Sequence, residues 1–265
     1  MYEFEHHKPG SVADAVSALK GADDGKLLAG GQTMIPTLKQ RLASPSDLID
    51  LSGVGELKGI TVSGNTVTIG AMTKHAEVAS SADVKSAIPA LAELADNIGD
   101  AQVRNMGTIG GSVANNDPAA DYPSACLALG ATIHTSQREI SADDFFTGLF
   151  ETALAEDEII TKISFPVPSK AAYEKFPNPA SRYALVGVFV AQTGGGARVA
   201  VTGAGQDGVF RVPEMESALS GNFSADAVSG IKVAEDDLNA DIHASAAYRA
   251  HLITVMAKRA VAKAG

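Results

Sequence analysis

The protein has 265 residues, 45% hydrophobic and 20% charged, a composition typical of a globular chain with one large domain or two ordinary ones. Its 31 acidic residues exceed its 21 basic residues, which gives a formal net charge of −10, and no Lys/Arg cluster is present. This balance excludes a nucleic-acid surface, because phosphate binding needs clustered basic side chains.

A single cysteine, Cys126, excludes an intrachain disulfide and any zinc or iron–sulfur site that requires several thiolates from this chain. Its apolar setting, PSACLALGA, predicts a buried small hydrophobe rather than a nucleophile. The start of the chain has no signal-peptide core, and no segment approaches the roughly 20 apolar residues that span a bilayer. We therefore expect a cytoplasmic protein without a transmembrane segment.

Residues 1–53 have the pattern of a βαβ-like unit. The stretch SVADAVSALK has the apolar spacing of an amphipathic helix, with Ser11 as its N-cap. A short apolar strand at 26–29 runs into Gly-Gly, and TMIPTLKQRLA then predicts a second helix. Another strand is predicted at 48–51, which closes this first subdomain.

Residues 54–170 form a second predicted subdomain, which opens with a β-hairpin around Gly64-Asn65. Helices are predicted in HAEVASSADVKSAIPALAELADNI, broken by Pro89, and in SACLALGA. A strand is predicted in EIITKISFPVP. In the hairpin, the expected cross-strand partners of Ile60 and Val62 are Val67 and Ile69.

The segment 166–179 contains four prolines and predicts a domain boundary. The C-terminal domain, 171–265, is then expected to hold a three-stranded antiparallel sheet and helices, which makes the whole chain α+β. The predicted strands are 183–191, 198–203 and 209–212. The predicted apolar stripe of the last helix consists of Ala247, His251, Ile253, Val255 and Ala262.

Two glycine-rich stretches, LLAGGQTMIP and RNMGTIGGSVANNDPAADYP, stand out because each brings Gly-Gly beside a hydroxyl or amide residue. Glycine allows a ligand to approach the backbone closely, and successive amides in a turn can hold an anion. Neither stretch has the Walker or the Rossmann spacing. Taken alone, the pattern allows two interpretations: a pair of loops that grip a diphosphate, or two tight turns that need glycine for geometry.

These stretches and their flanks resemble the FAD-binding medium subunit of the molybdenum hydroxylases, the xanthine dehydrogenase family, and within it the carbon monoxide dehydrogenase branch. The resemblance extends over almost the whole chain. It is carried by AGGQT, RNMGTIGG, FEHHKPGSVADAV, IGAMTKHAEV, ISFPVP and YRAHLITVMAKRAV. It implies a two-part FAD-binding domain of the vanillyl-alcohol-oxidase (PCMH) type followed by a separate C-terminal α+β domain.

The resemblance also implies which residues contact FAD. In the family the first loop contacts the pyrophosphate from one side and the second loop from the other, although histidine is common where this chain has Gln32. By this correspondence the pyrophosphate contacts are Ala29, Gly30, Gly31, Gln32, Thr33, Thr108, Ile109, Gly110, Gly111 and Ser112.

Four further positions match family residues near the adenosine or the flavin, and each has an ordinary alternative. Asp121 corresponds to an acid that contacts the adenosine part, but it could equally cap the PSACLALGA helix. Tyr183 corresponds to an aromatic residue against the flavin ring, although Ser181-Arg182 replaces the usual Gly-Asp before it, and it could otherwise be an ordinary strand core residue. Ile160 and Lys162 match positions near the flavin and could otherwise be a core residue and a solvated lysine.

The sequence shows no acid–base dyad and no metal constellation, so we expect no catalytic residue and no metal ligand in this chain. The resemblance implies electron transfer instead. Electrons would leave a molybdopterin centre in a large subunit, pass through two-iron, two-sulfur clusters in a small subunit and reach FAD. They would then go to an external acceptor, with a quinone expected for the carbon monoxide branch. The assembly implied is a dimer of heterotrimers, with peripheral membrane contact through the quinone.

Two rival functions stay open on the sequence: a stand-alone FAD oxidase or dehydrogenase of the vanillyl-alcohol-oxidase type, and a non-catalytic nucleotide-binding assembly module. The substrate is not encoded here, because in the family the molybdenum subunit selects it. Carbon monoxide, an aldehyde and a heterocycle are all compatible with the sequence.

Overall fold

The N-terminal part of the chain folds into a small parallel sheet. The computed structural model describes residues 1–265. The elements are β1 (Glu5–His7), α1 (Val12–Gly21), β2 (Gly25–Leu28), α2 (Met34–Lys39) and β3 (Asp47–Asp50). Strand β3 lies in the centre and pairs in parallel with β1 and β2. The Ser11 hydroxyl accepts a hydrogen bond from the Asp14 amide, so Ser11 caps α1 as predicted.

The middle of the chain builds a five-stranded antiparallel sheet flanked by short helices. When its five strands are numbered along the chain, they lie side by side in the order first, second, fifth, third, fourth. After 3₁₀ turns at Leu51–Gly53 and Gly55–Leu57, the elements are β4 (Ile60–Ser63), β5 (Thr66–Gly70), α3 (His75–Ser80), α4 (Ala82–Ala87), α5 (Pro89–Asp96), α6 (Ala101–Arg104), α7 (Ile109–Asn115), α8 (Tyr122–Leu129), β6 (Thr132–Thr135), β7 (Glu139–Ser141), α9 (Ala142–Phe145), β8 (Phe146–Gly148), β9 (Glu151–Thr152) and β10 (Ile160–Pro166). Strands β8 and β9 form a separate small hairpin.

The local predictions for this region are confirmed where turn chemistry determines the backbone. In the β4–β5 hairpin, Ile60 lies opposite Ile69 and Val62 opposite Val67, and Gly64 takes a positive φ of 56°. Pro89 separates two helices, as predicted, and it also begins the second of them. It stands in the first turn of α5, where its missing amide hydrogen costs nothing.

The C-terminal part is an antiparallel sheet with helices, and the sheet has four strands rather than the predicted three. The elements are β11 (Lys170–Pro177), β12 (Ala184–Thr193), β13 (Gly196–Gly205), β14 (Gly208–Arg211), α10 (Pro213–Gly221), α11 (Ala225–Val228) and α12 (Ala246–Ala264). The additional strand, β11, lies at the sheet edge in the proline-rich segment that the sequence presented as a boundary. Its prolines mark strand ends: Pro166 closes β10 and Pro177 closes β11, both positions that strands tolerate.

The predicted apolar stripe of α12 is wrong at three of its five positions, while Ile253 is buried and Val255 partly buried. Ala247, His251 and Ala262 are exposed. The buried face comprises Arg249, Ala250, Leu252, Ile253, Met256, Ala257, Ala260 and Val261. This buried face includes the charged residue Arg249. Its guanidinium is buried because it donates to the carbonyls of Leu185 and Gly203 and pairs with Asp241 at 2.7 Å.

The C-terminal sheet lies between two helices, and it shares its core with the middle of the chain. All eight residues of α8 are buried, as an apolar helix without a polar face requires. Tyr173 and Phe189 from the C-terminal sheet belong to the same buried cluster as Leu94 and Phe165. The opposite face of the sheet packs against α12. In none of the helices are length and apolarity sufficient to cross a bilayer.

Candidate functional site

A cleft of about 510 Å³ opens between the parallel sheet and the five-stranded sheet. Both glycine-rich stretches line it, together with parts of the α5–α6 loop, the segment before β10 and the β11–β12 turn. Its volume falls within the range of sites for small molecules and cofactors. The apolar side chains on its wall are Leu27, Met34, Leu51, Met72, Ile98, Val103, Leu154, Ile159 and Ile160.

The two glycine loops, defined here as residues 29–33 and 107–112, are in direct contact. A Cβ on Gly30 would lie 2.2 Å from the Met106 carbonyl oxygen and 2.7 Å from the Gly107 Cα. A Cβ on Gly111 would come within 3.3 Å of the Ala29 Cβ. Glycine is therefore required where the loops touch, because no side chain fits between two backbones at this separation.

The first loop presents a run of unused backbone donors. None of the amides from Gly30 to Thr33 donates a hydrogen bond within the chain. Gly31 takes a positive φ of 72°, and the Gln32 side-chain amide folds back to donate to the Gly30 carbonyl at 3.3 Å. Successive free amides in a turn make a concave donor surface for an anion. This loop thus has the geometry expected of a phosphate cradle.

The second loop does not offer the amide nest that its glycines suggested. The amide of Ile109 donates to Thr73, that of Gly110 to Ala71, and that of Gly111 to the Thr108 hydroxyl. What the second loop leaves free are the Thr108 amide and the Ser112 hydroxyl. Its Gly110 is needed for packing, since a Cβ there would lie 2.5 Å from the Ala71 Cβ.

The structure brings all but two of the predicted site residues to this one cleft. The residues that line it are Ala29, Gly30, Gly31, Gln32, Thr33, Thr108, Gly110, Gly111, Ser112, Asp121, Ile160 and Tyr183. Ile109 lies elsewhere because its side chain is fully buried in the core. Lys162 is exposed on β10.

A β-bulge explains why Ile160 and Lys162 do not share a face. Residues two apart on a regular strand point the same way. Between Ile160 and Lys162 the pairing of β10 with β6 shifts register, so the extra residue Thr161 reverses the alternation. Ile160 therefore faces the cleft, and Lys162 turns outward, while Ile163 returns to the core.

Asp121 stands at the start of α8, but its carboxylate does not cap that helix. It accepts hydrogen bonds from the Tyr173 hydroxyl at 2.5 Å and from the Lys175 ammonium at 3.0 Å. Burial raises the pKa of Asp121, against the opposing effect of Lys175 and Tyr173. Asp121 thus links the wall of the cleft to strand β11 of the C-terminal sheet.

The other acid groups of the cleft differ in how they are compensated. Burial tends to raise the pKa of Glu158, but hydrogen bonds from Arg138, Thr135 and the Ala155 amide bring its pKa below the ordinary value. Asp117 has no cationic partner, and burial raises its pKa. Of the three carboxylates that line the cleft, Asp117 is thus the one without a cationic partner.

The β11–β12 turn reaches over one end of the cleft as a strap of residues 178–183. The Asn178 side chain accepts hydrogen bonds from the amides of Ala180 and Ser181, which closes the turn. Arg182 takes a positive φ of 64°, unusual for a bulky residue, and its guanidinium donates to the Gly99 carbonyl at 3.3 Å. The strap places Tyr183, half-exposed, at the mouth of the cleft.

Four residues important to the site carried no clear sequence signal. Lys175 and Tyr173, which hold Asp121, lie in the segment that was predicted to be a domain boundary. Glu158 is remote in sequence from Arg138, and only the fold brings the two together. His75 belongs to the IGAMTKHAEV stretch that carries the family resemblance, and the structure buries it in the cleft wall.

The residues present fit a dinucleotide cofactor. The free amides of the first loop suit a diphosphate, the hydroxyls of the second loop add donors, and the long apolar wall suits aromatic rings. Glycine at position 30 leaves no room for a side chain between the loops and keeps the cradle open.

The chain belongs to the family described as the FAD binding domain in molybdopterin dehydrogenase, whose model matches residues 2–168. FAD is therefore its cofactor. Its relatives over nearly the full length of the chain include medium subunits of a hydroxylase and of dehydrogenases. It is 34% identical to the nicotine 6-hydroxylase medium subunit of Paenarthrobacter nicotinovorans, over 99% of this chain and 97% of the relative.

Two further relatives support this assignment over the whole chain. The glyceraldehyde dehydrogenase medium chain of Sulfolobus acidocaldarius is 36% identical, with 97% of both chains covered. Among solved structures, a carbon monoxide dehydrogenase from Hydrogenophaga pseudoflava superimposes with a TM-score of 0.89 at 37% identity, covering 99% of this chain and 97% of that one. The chain is thus a flavoprotein subunit of the molybdenum hydroxylase type, as the sequence predicted.

Proposed function

We propose that this chain binds one FAD across the cleft and uses it to carry electrons from a molybdenum hydroxylase complex to an external acceptor. The observation that carries the proposal is the contact between the two glycine loops, with a run of free amides on one side of it. In this arrangement the amides of Gly30 to Thr33 hold the diphosphate, with Thr108 and Ser112 as further donors. Ile160 and Tyr183 border the flavin end.

The fold supports a two-part FAD-binding region. Residues 1–53 carry the parallel sheet and the first loop, and residues 54–170 carry the five-stranded sheet and the second loop. We assign this arrangement to the vanillyl-alcohol-oxidase (PCMH) type, with 171–265 as a third unit that contributes the strap. Asp121 contributes to the adenosine side of the site through its fixed position beside Tyr173.

FAD, when bound, supplies a redox centre that accepts and releases electrons. The chain itself binds and orients that group. The apolar wall around Leu154, Ile159 and Ile160 excludes water, and the bulge at Thr161 keeps the Lys162 charge out of the cleft. The Glu158 and Asp121 carboxylates are occupied by structural partners and so are not free for proton transfer.

The partners that we propose are a large molybdopterin subunit and a small subunit with two-iron, two-sulfur clusters, assembled as a dimer of heterotrimers. The only cysteine of this chain, Cys126, is fully buried, and burial raises the pKa of its thiol, so it is not available as a cluster ligand. The proposed acceptor is a quinone, reached from the cytoplasmic side at the membrane surface.

The substrate of the complex is assigned to the large subunit. Relatives of nearly equal identity to this chain are named for nicotine, glyceraldehyde and carbon monoxide. Because relatives named for such different substrates match this chain about equally well, the sequence of this subunit does not indicate the substrate. Carbon monoxide remains our proposed substrate class, with an aldehyde or a heterocycle as the other outcomes of a test.

Affinity purification of the full chain from its native host tests the proposal. We expect yellow material with one FAD per chain, together with two further subunits that contain molybdenum, iron and sulfide. Flavin bleaching by an alcohol or phenol without partners would instead identify a stand-alone oxidase. Colourless protein that fails to take up added FAD would leave only an assembly module.

A further inference from the structure

His75, at the start of α3, is a buried histidine that makes no side-chain hydrogen bond within the chain. Its side chain lies in the wall of the cleft, and the residue is only 4% exposed. Its ring packs against that of Tyr122, with centroids 5.4 Å apart. Nδ1 is fully enclosed without a partner, so Nε2 is the ring nitrogen that keeps access to the cleft.

The surroundings determine the protonation state and the tautomer of this ring. Burial, with a contribution from Arg104, lowers the pKa of His75 to about 4, so the imidazole is neutral near pH 7. A neutral imidazole carries one N–H. An enclosed N–H without an acceptor is rarer and costlier than an enclosed lone pair, which places the hydrogen on Nε2 and the bare lone pair on Nδ1.

The neighbouring glycine provides the space that Nε2 occupies. A Cβ on Gly107 would lie 2.6 Å from Nε2 of His75, so any other residue at 107 would push the ring aside. Gly107 is also the residue against which Gly30 packs. The N–H of His75 is therefore available beside the junction of the two glycine loops, where the second loop has few donors of its own.

We propose that His75 is a further cofactor-binding residue, a neutral donor whose Nε2–H bonds a phosphate oxygen of the bound dinucleotide. This inference rests on the proposed binding of FAD across the cleft. It explains why a polar side chain is buried here without any partner of its own. A hydrogen bond to a charged acceptor contributes about 1.5–3 kcal/mol, which corresponds to roughly tenfold to a hundredfold in affinity.

Equilibrium binding to the full apo chain tests the proposal, with FAD, ADP and riboflavin as separate probes. His75→Leu should weaken FAD and ADP roughly tenfold or more and leave riboflavin, which has no phosphate, unchanged. His75→Gln, whose amide can reach the Nε2 position, should keep FAD affinity within about threefold. His134→Leu is the matched control, since His134 bonds Ser164 and Glu139 and does not line the cleft.

Each result decides the inference. Wild-type FAD and ADP affinity in a folded His75→Leu variant overturns it, and so does a loss confined to FAD with ADP unaffected. Should the leucine variant fail to fold, His75→Asn replaces it, because asparagine keeps a polar atom near Nδ1 but has none at Nε2. Failure of the wild-type chain to bind FAD would instead reject the proposed function.

Discussion

Gly30 is the residue at which the site is most sensitive to substitution, because its Cα lies against the backbone of the second loop. Gly30→Ala would place a Cβ 2.2 Å from the Met106 oxygen and push the loops apart. Overpacking of this kind costs about 1–3 kcal/mol, so we expect FAD affinity to fall by about tenfold or more. Flavin fluorescence titration measures this. Gly21→Ala, a position with open space around it, should bind like the wild type.

A second single residue, Glu158, makes the free energy of unfolding depend on pH. Its pKa in the folded chain lies below the ordinary 4.5, mainly through hydrogen bonds from Arg138 and Thr135 that outweigh burial. A lowered pKa stabilises the fold above pH 4.5, and that contribution is lost as the pH falls through the folded-state pKa. Glu158→Gln should therefore lower the free energy of unfolding by about 1–3 kcal/mol at pH 7 and progressively less below about pH 4.5.

Urea unfolding at pH 7 and at pH 4 measures the Glu158 effect. The control is Glu156→Gln, which changes an exposed carboxylate two residues away. An equal loss at both pH values would show that the Glu158 contribution is packing rather than ionisation.

Among the elements, the β8–β9 hairpin depends on a single amide. Asn116 ends α7 in the left-handed conformation, with φ of 43°, and its Nδ2 donates to the carbonyls of Gly148 and Glu151. The hairpin presents Leu149 and Phe150, both more than half exposed, at its tip. The short strands alone would not hold this turn in place.

Asn116→Gly keeps the backbone conformation and removes both hydrogen bonds. We expect it to lower the free energy of unfolding by about 1–3 kcal/mol and to speed amide exchange in 146–152 selectively. Asn105→Ala, which removes an exposed amide that bonds only its own helix, should leave exchange in the hairpin unchanged. Uniform acceleration over the whole chain would mean that Asn116 supports the global fold instead.

How far the sequence predicts these elements depends on whether their signals are local. The α1 cap at Ser11 and the Gly64-Asn65 hairpin were predictable, because short-range hydrogen bonding and glycine geometry determine them. Strand β11 and the buried face of α12 were not, since pairing with β12 and the anchoring of Arg249 involve distant partners. The bulge at Thr161 likewise arises from pairing with β6.

In the candidate site, too, some features were predictable from the sequence and others follow only from the fold. The glycine loops were identified from their residues and from family resemblance, whereas their mutual contact and the free amides of the first loop follow from the fold. The partners of Asp121 lie on a strand that the sequence did not reveal. His75 lies in the IGAMTKHAEV stretch that carries the resemblance, but the burial that makes it unusual has no local sequence signal.

At the scale of the whole molecule, the C-terminal sheet and the middle of the chain behave as one body. They share a buried cluster, and ion pairs join them where Arg198 and Arg211 meet Asp143 and where Lys263 meets Glu93. Helix α8 has no polar face that could be exposed in isolation. Independent folding of the C-terminal part is therefore not expected.

We predict a single cooperative unfolding transition for the full chain, followed equally by far-UV and near-UV circular dichroism. A fragment ending at Pro168 would expose the α8 surface that β12 and β13 cover, so it should aggregate or lack a cooperative transition. Two separate transitions in the full chain, or a monomeric fragment with its own sharp melt, would contradict this.

The meeting of Gly30 with Gly107 has a consequence for biogenesis. Tertiary folding brings these two distant points of the chain together, so the entropy of joining the two halves of the cradle is already lost before any cofactor arrives. Uptake of FAD then needs no large rearrangement of the backbone. We therefore expect the newly made polypeptide to take up its flavin before it is recruited into a larger enzyme, which FAD titration of the isolated chain would measure.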